Sequence, residues 1–384
     1  MAKEILSFSD TELGSGTLTD DFVADNLLIY TIEKYSKTDN PIDIVFNGDT
    51  FDFLKTPIIR DKWTFYLEHI TPMNALEKLE SIYKAHTKVF ECWKKFLKND
   101  KNKIYFIFGN HDYELLFPAV QERLKEILES KSIFFDYSYS EKRIYFEHGN
   151  MQDTYFTFDK KNVFRPYKNT VELNIPTLFS GFSSFFMDSK EWHPFIERIN
   201  DKKILFKFNK PIKSEMLFLL IKYFVYNMIF SAYTYIIRGY FLAYLSMIKK
   251  SFVNLFKGHY DVDINDLYEG VKKIPQDIVF FGHVHEKIET NIANKNIFIL
   301  DTWRDEYKIS QDAWFLIPKN KRFAKIIIDK NYEIKLYDYV PLGGKLIFSK
   351  VIEDEIKYVK KIAEGRDLIS IKDYELREKT IIFN

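Results

Sequence analysis

Short apolar runs rich in Ile, Val, Phe and Tyr recur along the chain, and each stops at a cluster of small, polar and acidic residues. Five of them, at 5–8, 42–46, 104–108, 144–146 and 278–281, are too short for helices and too continuously apolar for half-exposed strands. They predict buried strands of a covered sheet, with loops at their ends carrying the polar residues. Between the second and third runs, Leu76, Leu79, Tyr83, His86, Phe90, Trp93 and Leu97 fall at spacings of three and four. That stripe predicts one amphipathic helix over 74–98, and the strand, helix, strand succession predicts an α/β fold. Residues 295–340 alternate strand-like runs with polar turns, one of them at 329–331, and predict antiparallel strands closing a second sheet.

The regularity breaks over 155–275. The stretch 216–248 carries only Lys222 and Arg238 as charges and is crowded with Phe, Tyr, Leu and Ile, so it is apolar nearly all the way round. Its longest uncharged run, 223–237, has 15 residues, short of the roughly 20 that a membrane span needs. A buried cap helix, an element lying on a membrane surface and a true span all stay open. The surface reading draws on Lys249, Lys250 and Lys257 interleaved with Phe252, Val253, Leu255 and Phe256, and would place peripheral membrane contact at 216–258. The organisation predicted is one domain made of 1–155 and 275–345, a helical insertion or cap over 156–274, and a C-terminal extension over 346–384.

Composition narrows the function classes. The 384 residues can bury a sizeable core, and 56 basic against 55 acidic side chains leave a net charge of +1. There is no global field for nucleic acid, so an anionic substrate must be held by local charge. The single cysteine, Cys92, excludes an intramolecular disulfide framework and a Cys-rich zinc site, and is expected as a core thiol. The start MAKEILSFSD enters a strand-like run at once, so no cleaved secretion signal is expected. The location expected is the cytoplasm, with peripheral membrane contact as the alternative.

The candidate chemistry sits where the strands stop. Five segments end apolar runs: Ser9-Asp10-Thr11-Glu12, Gly48-Asp49-Thr50-Phe51-Asp52, Gly109-Asn110-His111-Asp112, His148-Gly149-Asn150 and Gly282-His283-Val284-His285. Singly these are ordinary turn chemistry; together they gather four of the eight histidines at one predicted sheet edge. In that order they resemble the pattern of the calcineurin-like metallophosphoesterase superfamily: D-x-H, GD-x-x-D, GNH-[DE], a later His beside small residues, and GH-x-H. The likeness covers roughly 1–155 and 275–340 and leaves out the insertion.

The resemblance implies a four-layer α/β/β/α sandwich and two divalent metal ions. Asp10 and His285 would hold the first, Asn110, His148 and His283 the second, and Asp49 would bridge them. Mixed carboxylate and imidazole donors suit first-row divalent metals. His111 would face the leaving group with its ring oriented by Asp52, and Asp112 would support the loop. Glu12 stands where the family usually has the His of D-x-H. As a ligand it would make the first position harder and favour Mn²⁺ or Mg²⁺ over Zn²⁺ or Fe; otherwise the first metal is weak or absent. Asn150 departs where the family often has Asp or His. Of the other histidines, His86 is expected in the core, and His69, His193 and His259 at the surface or in the cap. Arg304 is expected either to reach a phosphate or to be solvated.

The function expected is metal-dependent hydrolysis of a phosphate ester or pyrophosphate, on a lipid-linked or otherwise apolar substrate if the insertion is a lid. In that architecture the chain resembles the UDP-diacylglucosamine pyrophosphohydrolases, although those typically have Arg where this chain has His111. The alternatives are a nucleotide or phosphoprotein phosphatase, or a binding protein that keeps the fold without the chemistry.

Overall fold

The computed structural model describes residues 2–383 apart from 62, 67–68, 154–155, 157–158, 175–186, 220, 223–224 and 226–269. The chain builds two large sheets. Strands β1 (Lys3–Phe8), β2 (Ile42–Phe46), β3 (Lys103–Ile107) and β4 (Ile133–Asp136) pair in parallel in that order. The second sheet takes β5 (Ser138–Glu141), β6 (Ile144–Glu147), β7 (Ile278–Phe281), β8 (Ile288–Ile292) and β9 (Lys295–Ile299), in the order β8-β9-β7-β6-β5. The chain then returns to the first sheet with β10 (Lys321–Ile328), β11 (Tyr332–Pro341) and β12 (Tyr374–Phe383), added antiparallel beyond β1. The hairpin at 329–331 therefore closes the first sheet, which corrects the expectation that 295–340 closes the second; only β9 of that region joins the second. Residues 346–384 include β12, which pairs along β11 from Tyr332 to Pro341.

Alternation along the central strands divides their side chains between two cores. Leu6, Phe8, Ile44, Phe46, Ile104 and Phe106 face helices α1 (Asp25–Tyr35), α2 (Pro72–Ala85), α3 (Thr87–Phe96) and α4 (Pro118–Ile127). Ile5, Val45 and Ile107 face the other way and meet Ile144, Phe146, Ile278 and Phe280 of the second sheet. On the far side of that sheet, Val279, Phe281, Ile297 and Ile299 pack with Val271 and Ile274. The result is an α/β sandwich with two face-to-face sheets, as expected.

The single helix expected over 74–98 is two. Thr71 caps the first by accepting from Asn74 N at 3.3 Å, with Pro72 in the first turn. It stops at His86, whose backbone leaves the helical region at φ −117°, and the next helix begins at Thr87. The apolar stripe runs through the break because both helices press on one core, so periodicity alone could not show it. His86 is fully buried, yet its partners are acids: Nδ1 lies 2.9 Å from Asp25 and Nε2 3.3 Å from Asp20. Cys92 is in this core, where burial pushes its thiol up to about 12.

A satellite core joins the described start of the insertion to the end of the chain. Phe195, Ile196, Ile199, Leu205 and Ile212 pack with Tyr307, Ile309, Leu316, Phe348, Val351 and Val359. Within 216–248, residues 216–219, 221–222 and 225 are helical, and the rest of that stretch, with Lys249, Lys250, Lys257 and His259, lies outside the described residues. No helix among the described residues is long and apolar enough to cross a membrane.

Candidate metal centre

The loops leaving β1 and β2 run side by side beyond the sheet. Glu12 N donates to the Asp49 carbonyl at 2.8 Å, Leu13 N to Thr50 at 2.9 Å, and Asp52 N to Leu13 at 2.8 Å. The loops leaving β6 and β7 are tied by Gly282 N donating to the His148 carbonyl at 3.0 Å, and Trp303 N reaches the Asp10 carbonyl at 2.9 Å. Asp112 joins two more loops, accepting from Gly109 N at 2.7 Å and Thr50 N at 2.8 Å.

This assembly bends the backbone at the residues that carry the chemistry. Asp10, Glu12, Asp49, His283 and His285 all adopt positive φ, between 47° and 69°. Such left-handed conformations cost about 1–3 kcal/mol for a residue with a side chain and persist only where the surroundings enforce them. The small residues in the motifs have an equally local cause. A Cβ on Gly109 would lie 2.1 Å from Asp49 Oδ1, and one on Gly282 2.0 Å from Ser9 Oγ and 2.6 Å from Asp10 Oδ2.

The side chains converge in a buried ring. His148 Nε2 is 3.0 Å from Asp49 Oδ2 and 3.3 Å from Asn110 Oδ1. His285 Nε2 is 3.2 Å from Asp10 Oδ1 and 3.3 Å from Glu12 Oε1. Asp49, His148 and His283 each offer a ligand atom, all within 4.8 Å of one another; Glu12, Asp49 and His111 do the same. In each histidine the other ring nitrogen is fixed from behind. His148 Nδ1 donates to the Asn47 carbonyl at 3.0 Å, His285 Nδ1 lies 2.8 Å from Glu306, and His283 Nε2 lies 3.3 Å from Asp153. Outer partners of this kind hold the ring and tautomer of metal-ligating histidines.

The charges within the ring call for a cation. Burial opposes the charged form of His148, yet Asp49 and Asp10 override it and push the ring up to about 9. His285 is likewise raised against burial, by Glu306 and Asp10. For His283, burial dominates and lowers it. The carboxylates that favour charged rings here are ones a divalent ion would neutralise, and the donor set of carboxylates, imidazoles and the Asn110 amide oxygen fits such an ion.

His111 lies beside this ring and 12% of its side chain is exposed. Its Nδ1 is 3.0 Å from Asp52 Oδ1 and its backbone N donates to Asp49 Oδ1 at 2.7 Å. Burial disfavours its charge, but Glu12, Asp49 and Asp52 push it up to about 9. Asn150, buried, donates to the Tyr113 hydroxyl at 3.2 Å.

Glu12 has neighbours that the sequence did not suggest. It is fully buried, and Oε2 accepts from Lys55 Nζ at 2.7 Å and from Arg304 at 3.2 Å. Arg304 is therefore neither solvated nor open to a phosphate: it is 4% exposed and also pairs with Glu197 and Glu306. Lys55 reaches Asp52 at 2.8 Å and Asp21 at 3.0 Å, and Asp21 also binds Lys190 and Arg198. Sequence reading missed Lys55, Asp153, Glu197 and Glu306. Lys55, a charge closing the apolar run after Asp52, and Asp153, five residues beyond His148, were visible in the motifs; Glu197 gave no local sign.

The calcineurin-like phosphoesterase family model matches residues 22–287. The matched range includes Asp49, Asn110, His111, His148, His283 and His285, and begins after Asp10 and Glu12. Among solved structures, the chain is similar to Vacuolar Protein Sorting 29 from Cryptosporidium parvum, with 11% identity, 99% of this chain and 98% of that chain covered, and a TM-score of 0.35. It is similar to Vps29 from Entamoeba histolytica, with 8% identity, 99% of each chain covered and a TM-score of 0.28. A predicted phosphoesterase from Streptococcus pneumoniae follows, with 9% identity, 91% and 98% covered and a TM-score of 0.27. No curated protein matches the chain.

Proposed function

The chain belongs to the calcineurin-like phosphoesterase family, and from that premise we propose that it hydrolyses phosphate esters or anhydrides with two divalent metal ions, Mn²⁺ foremost. The observation that carries this reading is the convergence of buried Asp10, Asp49, Asn110, His148 and His283 with the partly exposed His285, an outer partner fixing each histidine. Asp49, Asn110, His148 and His283 would hold one ion, and Asp10, Glu12, Asp49 and His285 the other. When bound, such ions supply an acidified water and positive charge for the phosphoryl oxygens.

The protein's own groups do the rest. His111 is the proton donor: Asp52 accepts from Nδ1 and orients the ring, so Nε2 can pass a proton to the departing oxygen. Asp112 holds the two loops that carry Asp49 and His111 at fixed spacing by taking one backbone N–H from each.

An apolar portion on the substrate is the finer expectation. Exposed Trp192, Leu217, Phe218 and Ile221 in the described part of the insertion support it. Turnover of p-nitrophenyl phosphate and its bis ester with Mn²⁺, compared between wild type and Asp49→Ala, tests the hydrolytic reading. An inactive wild type with every divalent metal would point instead to a binding protein on this fold. Co-sedimentation with liposomes tests the apolar substrate or membrane contact.

A further inference from the structure

The two halves of the metal centre differ in the fixed cations beside them. Among the described residues, the side-chain ion-pair partners of Asp49 and Asp10 within 4 Å are histidines, which can lose their protons to a metal. Glu12 instead faces two cations that keep their charge. Lys55 Nζ lies 2.7 Å from Oε2, and Arg304 donates to both oxygens at 3.2 Å. Neither can swing into water, because Lys55 is 1% and Arg304 4% exposed.

Both cations are also bound by carboxylates other than Glu12. Glu197, from the satellite core region, contacts Arg304 and lies 3.4 Å from Lys55. Asp21 and Asp52 hold Lys55, and Glu306 holds Arg304. A divalent ion arriving at Glu12 must therefore share a carboxylate with an ammonium and a guanidinium that stay in place. Like charges at such range repel strongly in a buried setting. On the other side Asp49, His148 and His283 gather their ligand atoms within 4.8 Å, with Asn110 beside them, and among the described residues their side-chain ion pairs are between histidines and carboxylates.

Resting on the metal-dependent reading above, we propose that the two metal positions are unequal. The position at Asp49, Asn110, His148 and His283 holds its ion tightly. The position at Asp10, Glu12, Asp49 and His285 takes its ion weakly and exchangeably, because Lys55 and Arg304 compete for Glu12. Glu197 sets the degree of competition by drawing charge from both cations. Lys55, Arg304 and Glu197 are positioning residues for metal occupancy and touch no reacting atom.

The test uses the full chain stripped with chelator and titrated with MnCl₂ by calorimetry, with bound metal counted by elemental analysis after gel filtration. One ion per chain is expected to survive gel filtration, and the second to bind only at Mn²⁺ concentrations about 100-fold or more higher. Lys55→Met should tighten the weak event about tenfold and leave the tight one in place. Glu197→Gln should move the weak event the opposite way, which keeps the test open if Lys55→Met folds poorly. Two events of equal affinity, or no response of the weaker event to either substitution, would overturn the inequality while leaving the hydrolytic reading intact. Absence of any bound ion even at millimolar Mn²⁺ would overturn both.

Discussion

The His148 side and the Glu12 side of the centre are a few ångströms apart but are built by different means. Both stand on strand ends and left-handed turns, at Asp49 and His283 on the first and at Asp10, Glu12 and His285 on the second. To backbone hydrogen bonds such as Gly282 N to the His148 carbonyl at 3.0 Å, the first adds, among the described residues, only ion pairs between histidines and carboxylates. On the second, the ligand-like Glu12 sits in a web of ion pairs that draws in Lys55, Asp21, Lys190, Glu197, Arg198 and Arg304. Backbone-built geometry withstands changes of charge. Ion-pair geometry depends on every partner, since removing one member of a buried pair leaves an uncompensated charge costing about 3–5 kcal/mol.

The largest effect should come from Asp49→Ala, which removes a carboxylate common to both sides. Turnover of p-nitrophenyl phosphate should fall below detection while the circular dichroism spectrum is kept, because Asp49 lies beyond β2 and not in its pairing. Appreciable activity in that variant would break the assignment of both sides at once. Next in size is His111→Ala, for which kcat should fall about 10²- to 10⁴-fold with KM little changed. The loss should be smaller for p-nitrophenolate, a good leaving group, than for an alkyl ester. In the wild type kcat should decline on the basic side as the ring deprotonates, and His111→Asn should lack that limb.

How much of this was legible in the sequence follows the same division. The strands of the His148 side announce themselves because β7 is apolar on both faces and β2 is broken only by Asp43, and the residues after them carry the motifs. Asp52 and Asp112 were legible for the same reason, lying within a few residues of Asp49 and His111. Periodicity failed at His86, since the helices on either side of it share one apolar face and the break depends on Asp20 and Asp25. It failed also for the hairpin of β10 and β11, since alternation shows that strands pair and not which sheet receives them. Glu197 was out of reach: it lies 142 positions from Lys55, and no local pattern encodes a contact at that distance.

His86 offers a way to sharpen the contrast through pH. It holds Asp20, which also accepts from Arg366 at 2.8 Å and is the neighbour of Asp21 in the web. Burial works against the imidazolium, but Asp20 and Asp25 raise it from the usual 6.5 to about 9. A raised folded-state value means the stabilisation is complete below about pH 6.5 and is lost as pH rises through about 9. One unit is worth about 1.4 kcal/mol, so the loss is on the order of 3 kcal/mol. Urea unfolding at pH 6 and pH 9.5 should show it, and His86→Gln should remove most of the difference. An equal pH dependence in that variant would mean that the Asp20 and Asp21 loop is not held by this charge.

The smallest effects should separate the two sides most directly. Asp153 backs His283 at 3.3 Å and Glu306 backs His285 at 2.8 Å, so each reports on one side alone. Removing an outer partner of this kind lowers metal affinity by about 10- to 100-fold. Asp153→Asn should therefore weaken the tighter Mn²⁺ event and leave the weaker one unmoved. Glu306→Gln acts twice, because Glu306 also contacts Arg304 at 3.1 Å and Lys319 at 3.2 Å. Its loss loosens the His285 ring and leaves Arg304 with one carboxylate fewer, so the weaker event should suffer more than the tighter event does in Asp153→Asn. If the two variants shifted their events equally, the fixed cations beside Glu12 would not be sensed by the metal, and the contrast between the sides would reduce to one of donor type.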